Sequence, residues 1–175
     1  METADAPRVL ADTGGLLVSD DGRRVVVIDR RTGALSTLAF VLGILTLVVL
    51  GFGAVAALTA TPSRPIGIMF LCAGLLLALL TVVVVRAIRR RRARPPGECR
   101  PVAVLDRKLG LFSYPDGPIL PLDQVRFERR LQIGSSSAKL VAISPAGTYV
   151  IKRGNPFDGG VGQVDQILNG AARSG

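Results

Sequence analysis

Leu35 to Leu58, LSTLAFVLGILTLVVLGFGAVAAL, and Ile66 to Val85, IGIMFLCAGLLLALLTVVVV, decide the architecture of this chain. Neither stretch carries a charge: Arg31 and Arg64 bracket the first, Arg64 and Arg86 the second. A helix needs about 20 apolar residues to cross roughly 30 Å of hydrocarbon, and each stretch supplies that. A buried core helix would present a polar face, because 175 residues cannot surround two such helices completely. Two spanning helices are therefore expected. Between them Thr59-Ala-Thr-Pro-Ser-Arg-Pro65 contains two prolines that stop helix continuation. A loop of this length joins only antiparallel neighbours, so the helices form a hairpin.

Charge placement predicts orientation. Arg23, Arg24, Arg30 and Arg31 precede the first helix, and Arg86, Arg89, Arg90, Arg91, Arg92 and Arg94 follow the second, while the connecting loop holds Arg64 alone. Basic flanks resist translocation, so both chain ends are expected in the cytoplasm, with residues 59–65 outside, in a multi-pass cell (inner) membrane protein. The net charge is +9, and residues 86–101 supply seven Arg against Glu98. So concentrated an excess acts as a topology collar that can also attract anionic headgroups, and it speaks against a nucleic-acid partner. The first 34 residues hold six acids and lack a short apolar core with a cleavage site, so no cleavable signal peptide is expected.

Small residues recur at helical spacing: Ala39 with Gly43, Gly53 with Ala57, Gly74 with Ala78. Such pairs let helix backbones approach closely, here within the hairpin in preference to a partner's helix. No ionisable residue lies inside either span, which argues against ion or proton transport by this chain alone. Cys72 and Cys99 lie far apart along the chain and do not suggest a disulfide framework.

The flanking segments read as short strands. In the N-terminal arm, 1–34, GLLVS (Gly15–Ser19) and RVVVID (Arg24–Asp29) surround Asp20-Asp21-Gly22, a hairpin signal. A lone hairpin is marginal in water, so this one needs a partner sheet. After the Arg-rich linker, 86–100, with its Pro95-Pro96-Gly97 break, residues 101–175 carry VAVLD (Val102–Asp106), LGLFS (Leu109–Ser113), an alternating run from Gln124 to Ile133, LVAIS (Leu140–Ser144) and GTYVIK (Gly147–Lys152). In the alternating run Val125, Phe127, Leu131 and Ile133 fall on one side, and Arg129 interrupts it, marking an edge or a bulge. Val161, Val164, Ile167 and Leu168 follow helical spacing and are expected to end at Asn169-Gly170. Val25 to Gly33 also echoes Val102 to Gly110, with five of nine positions identical. The fold class is thus an α+β membrane protein: a two-helix hairpin plus a small, mainly antiparallel β domain with a C-terminal helix.

Seven strands followed by a helix resemble the pleckstrin-homology-like domains of small bacterial membrane proteins, tethered beside a helix pair. The resemblance rests on pattern over residues 101–170. Here the helices interrupt the strand order after the second strand.

The chain contains no histidine, which removes the usual general base and the commonest metal ligand. It has no C-x-x-C pair for zinc. Gly134-Ser-Ser-Ser137 lacks the Gly-Lys-Ser/Thr ending of a phosphate loop and leads into a strand. Asp106, Asp123 and Asp165 stand singly, where turns and solvation account for them. No catalytic, metal or cofactor-binding residue is expected. The expected role is a non-enzymatic accessory or scaffold protein that docks on a larger membrane complex, or on further copies of itself. The alternative is an anionic-lipid-sensing module in which Arg126, Arg130, Lys139, Lys152 and Arg153 extend the collar.

Overall fold

The computed structural model describes residues 7–59, 64–99, 101–115 and 117–174. The chain divides into two compact units, one of residues 33–91 and one formed by the two flanking segments together.

The first unit is a pair of helices, α1 (Gly33–Leu58) and α2 (Arg64–Arg92). Both are long and apolar enough to cross a membrane. Pro65 sits in the first turn of α2, where its missing N–H costs no helical hydrogen bond. The run 86–92, expected as linker, instead continues α2 to Arg92. Arginine is a good helix former, and no breaker precedes Pro95. The helices are antiparallel: Thr46 faces Thr81 with hydroxyls 3.3 Å apart, and Phe52 meets Phe70 edge-on at 4.9 Å. Each threonine hydroxyl also bonds back along its own helix, to Leu42 O at 2.7 Å and Leu77 O at 2.8 Å, so neither depends on the other helix for a partner.

Among the described residues the second unit is built of nine strands, where seven were expected. β1 (Arg8–Asp12), β2 (Leu16–Asp20), β3 (Arg24–Asp29), β4 (Pro101–Asp106), β5 (Leu111–Ser113) and β6 (Leu120–Pro121) form one antiparallel sheet in that order. β7 (Arg126–Gln132), β8 (Ser135–Ser144) and β9 (Gly147–Lys152) form a second. The two additional strands, β1 and β6, are short edge pieces, and β6 contains a proline.

The N-terminal hairpin finds its partner sheet through β3 and β4, with Val25 opposite Leu105 and Val27 opposite Ala103. The helix pair is therefore inserted between two adjacent antiparallel strands. An antiparallel helix pair and an antiparallel strand pair both return the chain beside its starting point, so the insertion needs no long crossover.

One core joins both sheets and the C-terminal helix α3 (Val164–Arg173). Phe112 and Phe127 meet edge-on at its centre, 5.5 Å apart, among Leu16, Val27, Leu140 and Leu168. Tyr114, just after β5, donates its hydroxyl to Val150 O on the second sheet at 3.0 Å. α3 runs through Asn169-Gly170, the expected stop, because Ala171 is still buried against the core. Along β7, Val125 before it and Phe127 within it are buried, but Leu131 and Ile133 are exposed, against the expected alternation. A register shift between Arg130 and Gln132 breaks the period there.

The sequence echo has a structural reason. Arg30, after β3, reaches over β2 to Asp12 on β1 at 2.8 Å; Arg107, after β4, reaches over β3 to Asp20 on β2. Two copies of a strand–Asp–Arg unit thus each clip a carboxylate two strands away. Asp106 accepts from Arg24 Nε at 2.8 Å and from Leu109 N at 3.1 Å. The Arg24 hydrogen bond, opposed by desolvation and helped by Leu109 and Arg23, holds its carboxyl below the usual range.

Candidate functional site

The most heavily engineered polar feature of the β unit is a buried ionic cluster around Lys152. β9 ends at Lys152, whose side chain turns inward and is almost fully buried. Its ammonium donates to Asp29 Oδ1 at 2.7 Å, to Gly15 O at 2.9 Å and to Asp158 Oδ2 at 3.4 Å. An ammonium has three protons, and each has an acceptor here.

Asp158 lies at the end of a single 3-10 turn, Pro156–Asp158, and Asn155 starts that turn by accepting from Phe157 N at 2.9 Å. The Asp158 carboxylate is 1% exposed, which makes unpaired charge there untenable. Its Oδ1 accepts from Thr32 Oγ1 at 2.5 Å and faces the Arg92 guanidinium at 3.8 Å. Its backbone oxygen accepts from Gly15 N at 3.2 Å. Gly15 is required: a Cβ at that position would collide with the Asp158 carboxylate.

The connectivity gives the cluster its meaning. Thr32 is the last residue before the helical unit and Arg92 the first after it, so within the β unit one carboxylate meets the chain both where it leaves and where it returns. Arg31, one residue earlier, adopts a left-handed φ of 51° that turns the chain out of β3, a conformation costing about 1–2 kcal/mol for a side-chain-bearing residue. The arrangement fastens these segments to one another.

A second polar device closes the edge of the β7–β8–β9 sheet. Asn169 on α3 accepts from Phe127 N at 3.0 Å and donates to Phe127 O at 2.7 Å, as a neighbouring strand would. Beside it runs an open groove of about 480 Å³, lined by Arg126, Glu128, Leu131 and Asp165 among others. Arg129 crosses toward α3, pairing with Asp165 at 3.2 Å and donating to Gly162 O at 3.0 Å. Replacing Asn169 with alanine will strand both Phe127 groups at a part-buried edge and lower stability by about 1–3 kcal/mol. Asn169→Asp will also destabilise, since a carboxylate accepts from Phe127 N but sets a lone pair against Phe127 O. Equal thermal midpoints for both variants and the parent would refute the capping role.

The residues singled out from sequence are distributed as follows. Arg86, Arg89, Arg90, Arg91 and Arg94 are exposed, and Arg92 is the member of the collar bound into the ionic cluster. In the helix pair Gly53 and Gly74 lie where the backbones approach: a Cβ on Gly53 would stand 2.7 Å from Leu71 N, and one on Gly74 2.6 Å from Leu50 Cδ2. Ala57 packs its backbone on Gly67, a residue the spacing argument did not single out. Gly43, expected in the seam with Ala39, has open space where its side chain would be, so close approach is confined to the half nearer the loop. Ala39 and Ala78 are half-buried. Cys72 and Cys99 are free. Of the Lys152 cluster, sequence reasoning found only Arg92 and Lys152, each for another reason. A lysine closing an alternating strand carries no visible sign that it turns inward.

Compared with known protein families, curated proteins and solved structures, the chain matches none.

Proposed function

We propose that this chain is a non-enzymatic, membrane-anchored accessory or scaffold protein. Its helix pair spans the cell membrane with both chain ends in the cytoplasm, and its β unit presents a docking surface to a larger membrane assembly. One observation carries the reading: a β unit with its own closed core is interrupted by two helices long and apolar enough to cross a membrane, and its buried Asp158 meets Thr32 and Arg92, where the chain leaves for those helices and returns. The exposed apolar side chains of both helices, Leu47 and Val55 on α1 and Leu75 and Leu79 on α2 among them, favour a hydrocarbon environment. The arginines at the end of α2 favour retention of that end inside. Two antiparallel sheets with a C-terminal helix in one core support the likeness to pleckstrin-homology-like domains, as a scaffold whose surface loops carry the recognition.

Two measurements test this. Cysteines introduced singly at Ser63, which lies outside the described residues, and at Ser174 will respond oppositely to an impermeant reagent in intact cells, Ser63 labelled and Ser174 protected. Labelling of Ser174 from outside would reverse the orientation and remove every cytoplasmic partner. Purification in mild detergent with mass spectrometry of retained proteins will show a stoichiometric membrane-protein partner or a discrete homo-oligomer. Recovery of the bare monomer at native expression levels would sink the scaffold reading.

A further inference from the structure

We propose that the tip of the β7–β8 hairpin is a membrane-surface anchor that inserts two aliphatic side chains among anionic lipid headgroups. The observation behind it is a breach of local rules. Gln132 pairs with Ser135, leaving Ile133 and Gly134 as a two-residue hairpin turn. Such turns favour Asn, Asp and Gly, which tolerate the positive φ they require, as Gly134 does at φ 84°, and an aliphatic residue beside it is unusual. Here Ile133 is 107% exposed and Leu131 beside it is 87% exposed, while Phe127 on the same strand is 1% exposed. Neither residue belongs to the core that joins the two sheets. The register shift between Arg130 and Gln132 is what releases Leu131 from the strand's buried face.

The surroundings select the occupant. From Arg126 to Lys139 the hairpin carries Arg126, Arg129, Arg130 and Lys139 against the one acid Glu128. Glu128 lies 3.5 Å from both Arg126 and Arg130, and Asp165 pairs with Arg129, so Lys139 and part of the Arg126 and Arg130 charge remain for a ligand. An apolar pair at the hairpin tip, with Arg130 and Lys139 paired across the strands behind it, matches the layering of a bilayer surface: acyl chains below, anionic headgroups above. A protein pocket would call for the same two aliphatic residues but not for the surplus of positive charge. Two aliphatic side chains bind a bilayer weakly in free solution. Anchoring of the same chain through α1 and α2 makes the encounter intramolecular and raises its effective concentration. The inference rests on membrane anchoring of the helix pair, not on the scaffold role.

The test uses the full-length chain, with Cys72 and Cys99 replaced by alanine, reconstituted into phosphatidylcholine vesicles with or without phosphatidylglycerol. An environment-sensitive fluorophore is placed at Ile133→Cys, and at the exposed Thr148→Cys as a control on the β8–β9 hairpin. Flotation first establishes reconstitution; a chain that fails to float refutes the anchoring and this inference with it. In floated vesicles holding phosphatidylglycerol, the probe at 133 will shift to the blue and be quenched by spin-labelled lipid, while the probe at 148 stays water-like. Arg130→Glu with Lys139→Glu will lower the docked fraction at 133 by about fivefold or more, the expected effect of reversing charge beside an anionic surface. A probe at 133 as water-exposed as that at 148 in floated anionic vesicles would overturn the proposal. Insertion at 133 unaffected by both lipid charge and the double reversal would overturn the assignment to anionic headgroups.

Discussion

Lys152→Met will destabilise the β unit by about 3–5 kcal/mol, the cost of leaving a buried carboxylate without its partner. Methionine keeps the length and apolar stem of the side chain, so the loss reports the ammonium and not a cavity. Asp158, at 1% exposure, retains only the Thr32 hydroxyl and the distant Arg92 as compensation. Gly15 O also loses one of its two donors, keeping Arg30 N at 2.9 Å. The double variant Lys152→Met/Asp158→Asn removes both charges, and asparagine can still accept from Thr32. It is expected to recover at least half of the loss, because a neutral buried pair escapes most of the desolvation cost. The measurement is the thermal midpoint of the detergent-solubilised chain, with amide exchange at Leu16 and Val27 as a local probe. A single variant within about 1 kcal/mol of the parent would mean that water reaches the cluster and that it fastens nothing.

The same cluster shows where sequence reasoning stops. The helix pair was legible because a long uncharged, mostly apolar run leaves few alternatives to helix, and Leu35–Leu58 and Ile66–Val85 carry no charged residue. The strands were legible where one face is buried: Val25, Val27, Leu105 and Phe112 alternate with more exposed neighbours. β1 was not, since Arg8 and Val9 are both exposed and its pairing shifts register, so no period of two survives. Leu131 and Ile133 continued the alternation of β7 in sequence but not in space, because the irregular pairing after Arg130 changes which face follows. Asp29 and Thr32 follow one another at the end of β3, and Lys152 and Asp158 at the end of β9, so the cluster joins two places more than a hundred residues apart in the chain. No local property of those residues announces the meeting. The arginine collar was read as bulk charge, which suits Arg86, Arg89, Arg90 and Arg94; Arg92 differs because its neighbour in space is a buried carboxylate.

Gly67→Leu is expected to part the helix pair, whereas Gly43→Leu will leave it intact. Both glycines lie within the apolar helices, and both substitutions raise helix propensity, so intrinsic effects do not separate them. Their surroundings differ. A Cβ at Gly67 would collide with the backbone of Ala56 and Ala57, while one at Gly43 meets nothing within 4 Å. A side chain tip can rotate away from an intruder, but a helix backbone can only move as a body. The cost therefore falls at or above the top of the overpacking range, about 3 kcal/mol, roughly a hundredfold in the closed population. The short loop keeps the helices tethered, so parting shows as a splayed pair and not as separated segments. Phe52→Cys with Phe70→Cys, in a chain lacking Cys72 and Cys99, reports it, because those rings meet at 4.9 Å on the same stretch of seam. Oxidative crosslinking in membranes will proceed rapidly in the parent and in Gly43→Leu, and about tenfold or more slowly in Gly67→Leu. Gly67→Ala will fall between, since one methyl group forces a smaller shift. Equal crosslinking rates in all four chains would show that the seam tolerates bulk at Gly67, and that the helices are held by lipid-facing packing and the Thr46–Thr81 contact without close backbone approach.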